Sequence, residues 1–314
     1  MSLQAMLQEG IRYAPTYRPV DNSDHLPMTL CAMHGLGATD AELAVFRDGY
    51  VGRLHEWEAV GRVMGWQEGL GERALYPVLL QWFLAERDPG ERAQLRGQVL
   101  ETCLSSLALE AFHPLIRLGY AVQFNCREEE AAALAYLVSV HRALPTGLQV
   151  VDLEERLIAQ AAAGALSLHA GRFGAGMLEL ANSGRYPVGT AGSLDEIAAV
   201  ALKLYRSTRN FFALHLVTVT QALRLVVSPA TEALAVSSLT GAVMASHLVL
   251  GSPPLSGAVM AAPASLDPEH AIKYAWACLS EYRSSGNPLY EEEVDLFRNA
   301  GLVPAWVKSV RESD

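Results

Sequence analysis

The chain has 314 residues, 51% of them hydrophobic and only 18% charged, which excludes wholesale disorder and supplies a large core. Its net charge is −10 with a pI near 5.4, the wrong sign for a phosphate backbone, so nucleic acid is excluded as a partner. Four cysteines, Cys31, Cys103, Cys126 and Cys278, form no CxxC pair and read as reduced, buried thiols of a cytoplasmic protein.

Along the chain, the first residues carry Glu9 early and no basic start before an apolar run, so no secretion signal is expected. Helix starts follow at Thr39-x-x-Glu42, Asp88-Pro89-Gly90-Glu91, Asp152-x-x-Glu155 and Ser193-x-x-Glu196. In each, the cap oxygen can accept an orphan N–H while the glutamate reaches back to the cap's own N–H. Asp267-Pro268 and Asn287-Pro288 add caps with proline at the first helical position, where its missing N–H costs nothing. The periodicity predicts helices over 72–86, 91–123, 127–143, 152–168, 193–206, 208–227, 231–249, 268–284 and 289–299. Strand signals are scarce, no repeat is visible and no linker divides the chain. The expectation is an all-α fold, a compact multi-helix array forming a single large domain over residues 1–314.

Between Glu232 and Asp267 there is no Asp, Glu, Lys or Arg. The stretch is rich in Ala, Ser and Gly, contains His247 and breaks at Gly251-Ser252-Pro253-Pro254. A central helix packed through small residues is expected there, and no membrane span. The chain has no GxSxG, HExxH or P-loop, and its glycine groups do not follow predicted strands.

Nine histidines remain. His25 precedes an apolar run. His113 is followed by Pro114, which kinks the helix or starts a new one. His215 lies on an apolar helix face with Phe211, Phe212, Thr218 and Val219 at helical spacing. His270 opens the helix after Asp267-Pro268, with Lys273 three residues on and on the same face. Tyr274-Ala275-Trp276-Ala277 follows, too apolar a run for a solvated lysine, so Lys273 should be neutral, paired or chemically modified. Four imidazoles on four helices can converge on a transition metal. Spacing alone leaves this open beside the commoner outcome, four separately satisfied histidines, and Lys273 remains open beside a paired or snorkelling lysine. His55, His141 and His169, in charged or Gly-rich surroundings, read as ordinary histidines, and His247 as packed core.

Four ordered motifs then stand out: Asn22…His25-Leu26-Pro27-Met28…Leu36-Gly37-Ala38; Phe112-His113-Pro114-Leu115-Ile116-Arg117-Leu118-Gly119-Tyr120-Ala121; Leu214-His215-Leu216-Val217-Thr218…Ala222-Leu223-Arg224; and Glu269-His270-Ala271-Ile272-Lys273. Together, across roughly residues 13–285, they resemble the questin oxidase-like family. The resemblance implies an oxidoreductase that uses O2 to open a ring of a polycyclic aromatic, anthraquinone-like small molecule. Some members are NADPH-requiring oxidases; others resemble non-haem iron oxygenases with several histidines and a carboxylated lysine. Carried over, the metal ligands would be His25, His113, His215, His270 and Lys273, with Lys273 modified to a carbamate and assigned to the chemistry, Fe(II) as cofactor and NADPH as electron donor. The chain departs from the family pattern at Gln221, where a further histidine often stands. Asn22 or Asp24 are candidates to orient His25, Glu269 to orient His270, and Thr218 and Gln221 to share its cavity with His215. Tyr120, Phe124, Phe211, Phe212 and Trp276 are candidates for an aromatic wall. An NADPH-dependent Baeyer–Villiger-type oxidase without tightly bound metal, and a non-catalytic helical protein binding an apolar ligand, are the alternatives. Homo-oligomer formation is left open.

Overall fold

The computed structural model describes residues 1–17, 22–59, 61–169, 171–255 and 259–308. Helix α1 (Leu3–Gly10) leads into a two-stranded antiparallel ribbon, β1 (Thr16–Tyr17) with β2 (Asn22–Ser23). The rest is helical: α2 (Leu26–Gly35), α3 (Asp40–Tyr50), α4 (Tyr76–Ala85), α5 (Pro89–Cys103), α6 (His113–Gln123) and α7 (Arg127–Ser139) come first. Then follow α8 (Leu153–Ala163), α9 (Phe173–Asn182), α10 (Leu194–Thr208), α11 (Phe211–Val226), α12 (Glu232–Val249), α13 (Pro268–Ser285) and α14 (Pro288–Asn299). The fold is all-α, as the sequence predicts.

The caps explain most of the helix starts. Thr39 and Glu42 form a reciprocal capping box on α3. Asp88, Asp152 and Ser193 each accept backbone N–H groups at the starts of α5, α8 and α10. The return bond expected of Glu196 is not made; its carboxylate instead accepts the N–H groups of Leu153 and Gly192, pinning α8 to α10. Asn287 caps α14 through the Leu289 N–H, whereas Asp267 makes no side-chain cap and α13 relies on Pro268.

The helix predicted over 91–123 is two helices. The Pro114 ring cannot sit inside a helix, and residues 104–112 pass through short 3-10 turns before α6 begins at His113. The helix predicted over 152–168 stops at Gly164, whose φ of +85° ends it, and 127–143 stops at Ser139. The periodicity misses α1, α2, α3 and α9, although the Thr39 cap marks the start of α3. Helix α2 is buried over nearly its whole surface, so it carries no apolar stripe to detect.

Helix α11 is the hub: α6, α10 and α13 pack on it, and α13 in turn packs on α2 and α14. Gly119 lets α6 and α11 touch. A Cβ there would lie 2.6 Å from the Ala222 methyl and 2.8 Å from its Cα, so only glycine allows this approach. The apolar stretch before Gly251 is the core helix α12, which packs against α8 and α9 with 72% of its length buried. It is the one helix among the described residues long and apolar enough to cross a membrane. All four cysteines are free and buried.

Helix α14 braces α13 with a buried ion network. The Tyr274 hydroxyl donates to Glu293 (2.9 Å), which also pairs with Arg209 and lies 3.6 Å from Arg206. Glu293 is 1% exposed, yet its oxygens are all engaged.

Candidate metal centre

Four helix starts converge on one point. His25 is the N-cap of α2, His113 the first residue of α6, His215 the fifth of α11 and His270 the third of α13. Their rings form a closed circuit, with centroids 4.7 Å apart for His25–His113, 4.9 Å for His113–His215, 5.4 Å for His215–His270 and 4.5 Å for His270–His25. His25 Nε2 lies 2.8 Å from His113 Nε2. One nitrogen from each of His25, His113 and His270 lies within 4.8 Å of the other two. All four residues are buried.

The outer nitrogens of two rings are fixed by backbone. His113 Nδ1–H donates to the Glu110 carbonyl (2.6 Å) and His215 Nδ1–H to the Phe211 carbonyl (2.9 Å). Each bond sets the tautomer and leaves Nε2 as a lone pair, the arrangement found around metal-ligating histidines. The Glu110 carbonyl is aimed by a costly turn: Glu110, Ala111 and Phe112 have φ of 52°, 49° and 69°, each worth roughly 1–2 kcal/mol of left-handed strain. Four ring nitrogens are left without a hydrogen-bond partner despite their burial: His25 Nδ1, His215 Nε2, and both nitrogens of His270. Buried polar atoms are almost always satisfied, so four unpartnered ring nitrogens in one cluster leave it compatible with a bound ion. Two imidazole nitrogens bound at about 2.1 Å and at right angles sit about 3.0 Å apart, close to the His25–His113 separation. The donor set therefore fits a transition metal that accepts imidazole.

Burial keeps these rings neutral, the form that can coordinate. It pushes all four imidazole pKa values down, His215 to about 3, and any charge on Lys273 pushes them further in the same direction. Lys273 itself is 3% exposed. Burial lowers its pKa to about 7, against the pull of Glu269 and Asp24, which makes the free amine accessible near neutral pH. Among the described residues no carboxylate lies within ion-pair distance of it. Burial also raises Asp24 to about 6, with Arg117 opposing.

The neighbours expected from sequence fall differently. Asp24 does not orient the His25 ring: its carboxylate accepts the Leu26 N–H (2.8 Å) and starts α2, while Tyr50 accepts the His25 backbone N–H. Asn22 is exposed on β2. Glu269 lies nearer His25, 3.9 Å from Nδ1, than its own neighbour on α13, and is paired with Arg53 (3.2 Å). Two carboxylates lie near His270: Asp267, 3.8 Å from its Nδ1, and Glu269, whose oxygen is within 4.8 Å of a ring nitrogen. Thr218 donates to the His215 carbonyl and does not line the cavity. Neither does Gln221: six residues along a helix is a rotation of about 240°, onto another face.

The cavity is about 1350 Å³ and opens over His25, His113 and His270, large enough for a polycyclic ligand. Its aromatic wall is Phe211 and Phe212, joined by Phe173, whose ring stacks on Phe212 at 4.4 Å. Phe211 contacts both His215 and His270. Tyr120, Phe124 and Trp276 form a separate cluster away from the cavity. His55, read as ordinary, lines the cavity wall. Of the other four histidines His34 is exposed at the end of α2 beside Phe124, while His141 is satisfied by Ser106, His169 by Glu179, and His247 by Gln160 and the Pro253 carbonyl. Sequence reasoning missed Glu110, Arg73, Ser23 and Tyr136 on the cavity wall; nothing in their spacing marks them.

The structure is an all-helical array in which four buried imidazoles cluster beside a large cavity. The questin oxidase-like pattern matches residues 22–285, and the chain belongs to that family. Membership points to an oxidoreductase acting on a polyketide-type substrate. No curated protein is significantly similar to it.

Proposed function

We propose that this protein is a non-haem iron oxygenase that opens a ring of a polycyclic, anthraquinone-like aromatic with O2. The observation that carries the reading is the set of unpartnered ring nitrogens on four converging histidines beneath a cavity of about 1350 Å³. His25, His113, His215 and His270 would hold Fe(II), which supplies O2 binding and one-electron chemistry when present.

The remaining roles belong to the chain. Glu110 and Phe211 carbonyls keep two Nε2 lone pairs directed inward. Lys273, neutral in part, would add CO2 to give a carbamate whose oxygen is the anionic ligand that the four imidazoles lack. His25, His113 and His270 sit at the first turns of α2, α6 and α13, where the helix dipoles favour negative charge. Phe211 and Phe212 offer flat surface for an aromatic substrate. If both oxygen atoms enter the product no reductant is needed; if one is released as water, NADPH supplies the two electrons as a soluble donor.

The test is O2 uptake with hydroxyanthraquinones after anaerobic Fe(II) loading. Uptake that needs iron and disappears in His113→Ala and His215→Ala, with His169→Ala as an active control, supports the reading. Iron-independent, NADPH-dependent turnover would replace it with the metal-free oxidase.

A further inference from the structure

We propose that Glu110 and Tyr136 form the specificity element of the cavity, accepting and orienting a phenolic hydroxyl of the substrate. The inference rests on the cavity being the substrate site.

Glu110 belongs to two structures at once. Its carbonyl holds His113 Nδ1–H, while its carboxylate turns into the cavity, where Arg73 pairs with one oxygen and the Tyr136 hydroxyl lies 3.3 Å from the other. The Tyr136 hydroxyl is also 2.9 Å from Ser23 Oγ. Glu110, Arg73, Tyr136 and Ser23 all line the same cavity as the histidines. A carboxylate has about four lone-pair sites. Arg73 and Tyr136 occupy two of them, so acceptor capacity remains toward the cavity.

The backbone explains why this residue is placed so. A plain helix start would aim neither group; the left-handed run at Glu110, Ala111 and Phe112 turns the carbonyl to His113 and the carboxylate to the cavity together. Strain of this kind collects where function demands a geometry. A carboxylate accepting from a phenol O–H also releases electron density into the aromatic ring, which favours its oxidation. The apolar Phe173, Phe211 and Phe212 surface takes the ring faces, and the Glu110–Tyr136 pair fixes the edge.

The test compares binding of alizarin, which carries phenolic hydroxyls, with unsubstituted anthraquinone, using the metal-free full chain. A charge-assisted hydrogen bond predicts an alizarin preference of about 10- to 100-fold, with its visible band shifted to the red. Glu110→Gln should remove the shift and most of the preference; Tyr136→Phe should remove part of it. Glu110→Gln should still bind iron as the wild type does, since the backbone carbonyl is kept. Equal affinity of the wild type for the two quinones overturns the proposal, as does a preference unchanged in both variants. Iron loss in Glu110→Gln would also overturn it, by placing the carboxylate in the metal centre. A protein that prefers alizarin yet never binds iron would sink the oxygenase reading and leave this one standing.

Discussion

Two buried polar clusters flank α13, and they are built on opposite terms. On the side facing α14, Glu293 engages Tyr274 and Arg209 at hydrogen-bonding distance, with Arg206, itself paired to Glu292, 3.6 Å away. At the start of the same helix, four imidazoles and Lys273 crowd together with four ring nitrogens unpartnered. A satisfied buried network holds elements in place; an unsatisfied one costs stability and persists where something else is to fill it. The first cluster fixes where α13 sits, and the second leaves ring nitrogens open to a ligand at the start of the same helix. The family pattern ends at residue 285, so the bracing helix α14 lies beyond it.

The sharpest way to break this comparison is to damage each cluster alone. Glu293→Ala leaves Arg209 and Tyr274 buried without their partner, and should cost about 3–5 kcal/mol, in metal-free and iron-loaded protein alike. Denaturant unfolding of both forms measures it. His215→Ala should behave otherwise, lowering iron affinity by about 100-fold or more and so removing roughly 2.7 kcal/mol of iron-dependent stabilisation at saturating metal. The metal-free variant should lose less than Glu293→Ala. Equal losses in both forms would make the histidines ordinary core.

A smaller effect sharpens the geometry. Gly119→Ala forces α6 away from the Ala222 backbone, at about 1–3 kcal/mol. Because α6 carries His113 and α11 carries His215, iron affinity should fall with stability. Isothermal titration with Fe(II) under anaerobic conditions reads this.

The mildest test is pH. The His215 pKa is about 6.5 unfolded and about 3 folded, and the other three rings shift in the same direction. The unfolded state therefore binds more protons below pH 6.5, so this stabilisation is complete above about 6.5 and lost as pH falls toward 3. Protons compete with iron for the same nitrogens only where the folded rings titrate, so the stability gap between iron-loaded and metal-free protein should persist through most of that window and close only toward pH 3. A gap independent of pH would contradict imidazole ligation.

Much of the fold was legible because its helix starts carry chemistry in sequence: Thr39, Asp88, Asp152, Ser193 and Asn287 all cap with their side chains, although only Thr39 and Glu42 close the reciprocal box. Helix α2 was illegible because burial on every side erases amphipathic periodicity. The turn before α6 was illegible because three consecutive left-handed residues, Glu110, Ala111 and Phe112, include no glycine to announce them. In the site, three histidines lie within two residues of a proline at a helix start, at Pro27, Pro114 and Pro268, which singled out their motifs. Their convergence was not legible. It depends on Gly119 and Ala222 bringing two helices together, a contact between residues far apart in the chain. The neighbours of the rings were misassigned for the same reason: Glu269 reaches His25 on another helix in preference to His270 beside it.

The central claim is tested most directly by metal analysis of the protein purified without chelator or metal-affinity resin. Close to one iron per chain is expected, lost in His113→Ala and His215→Ala and kept in His169→Ala. Protein that holds no iron after anaerobic Fe(II) reconstitution, or variants that retain it equally, would contradict the histidine centre.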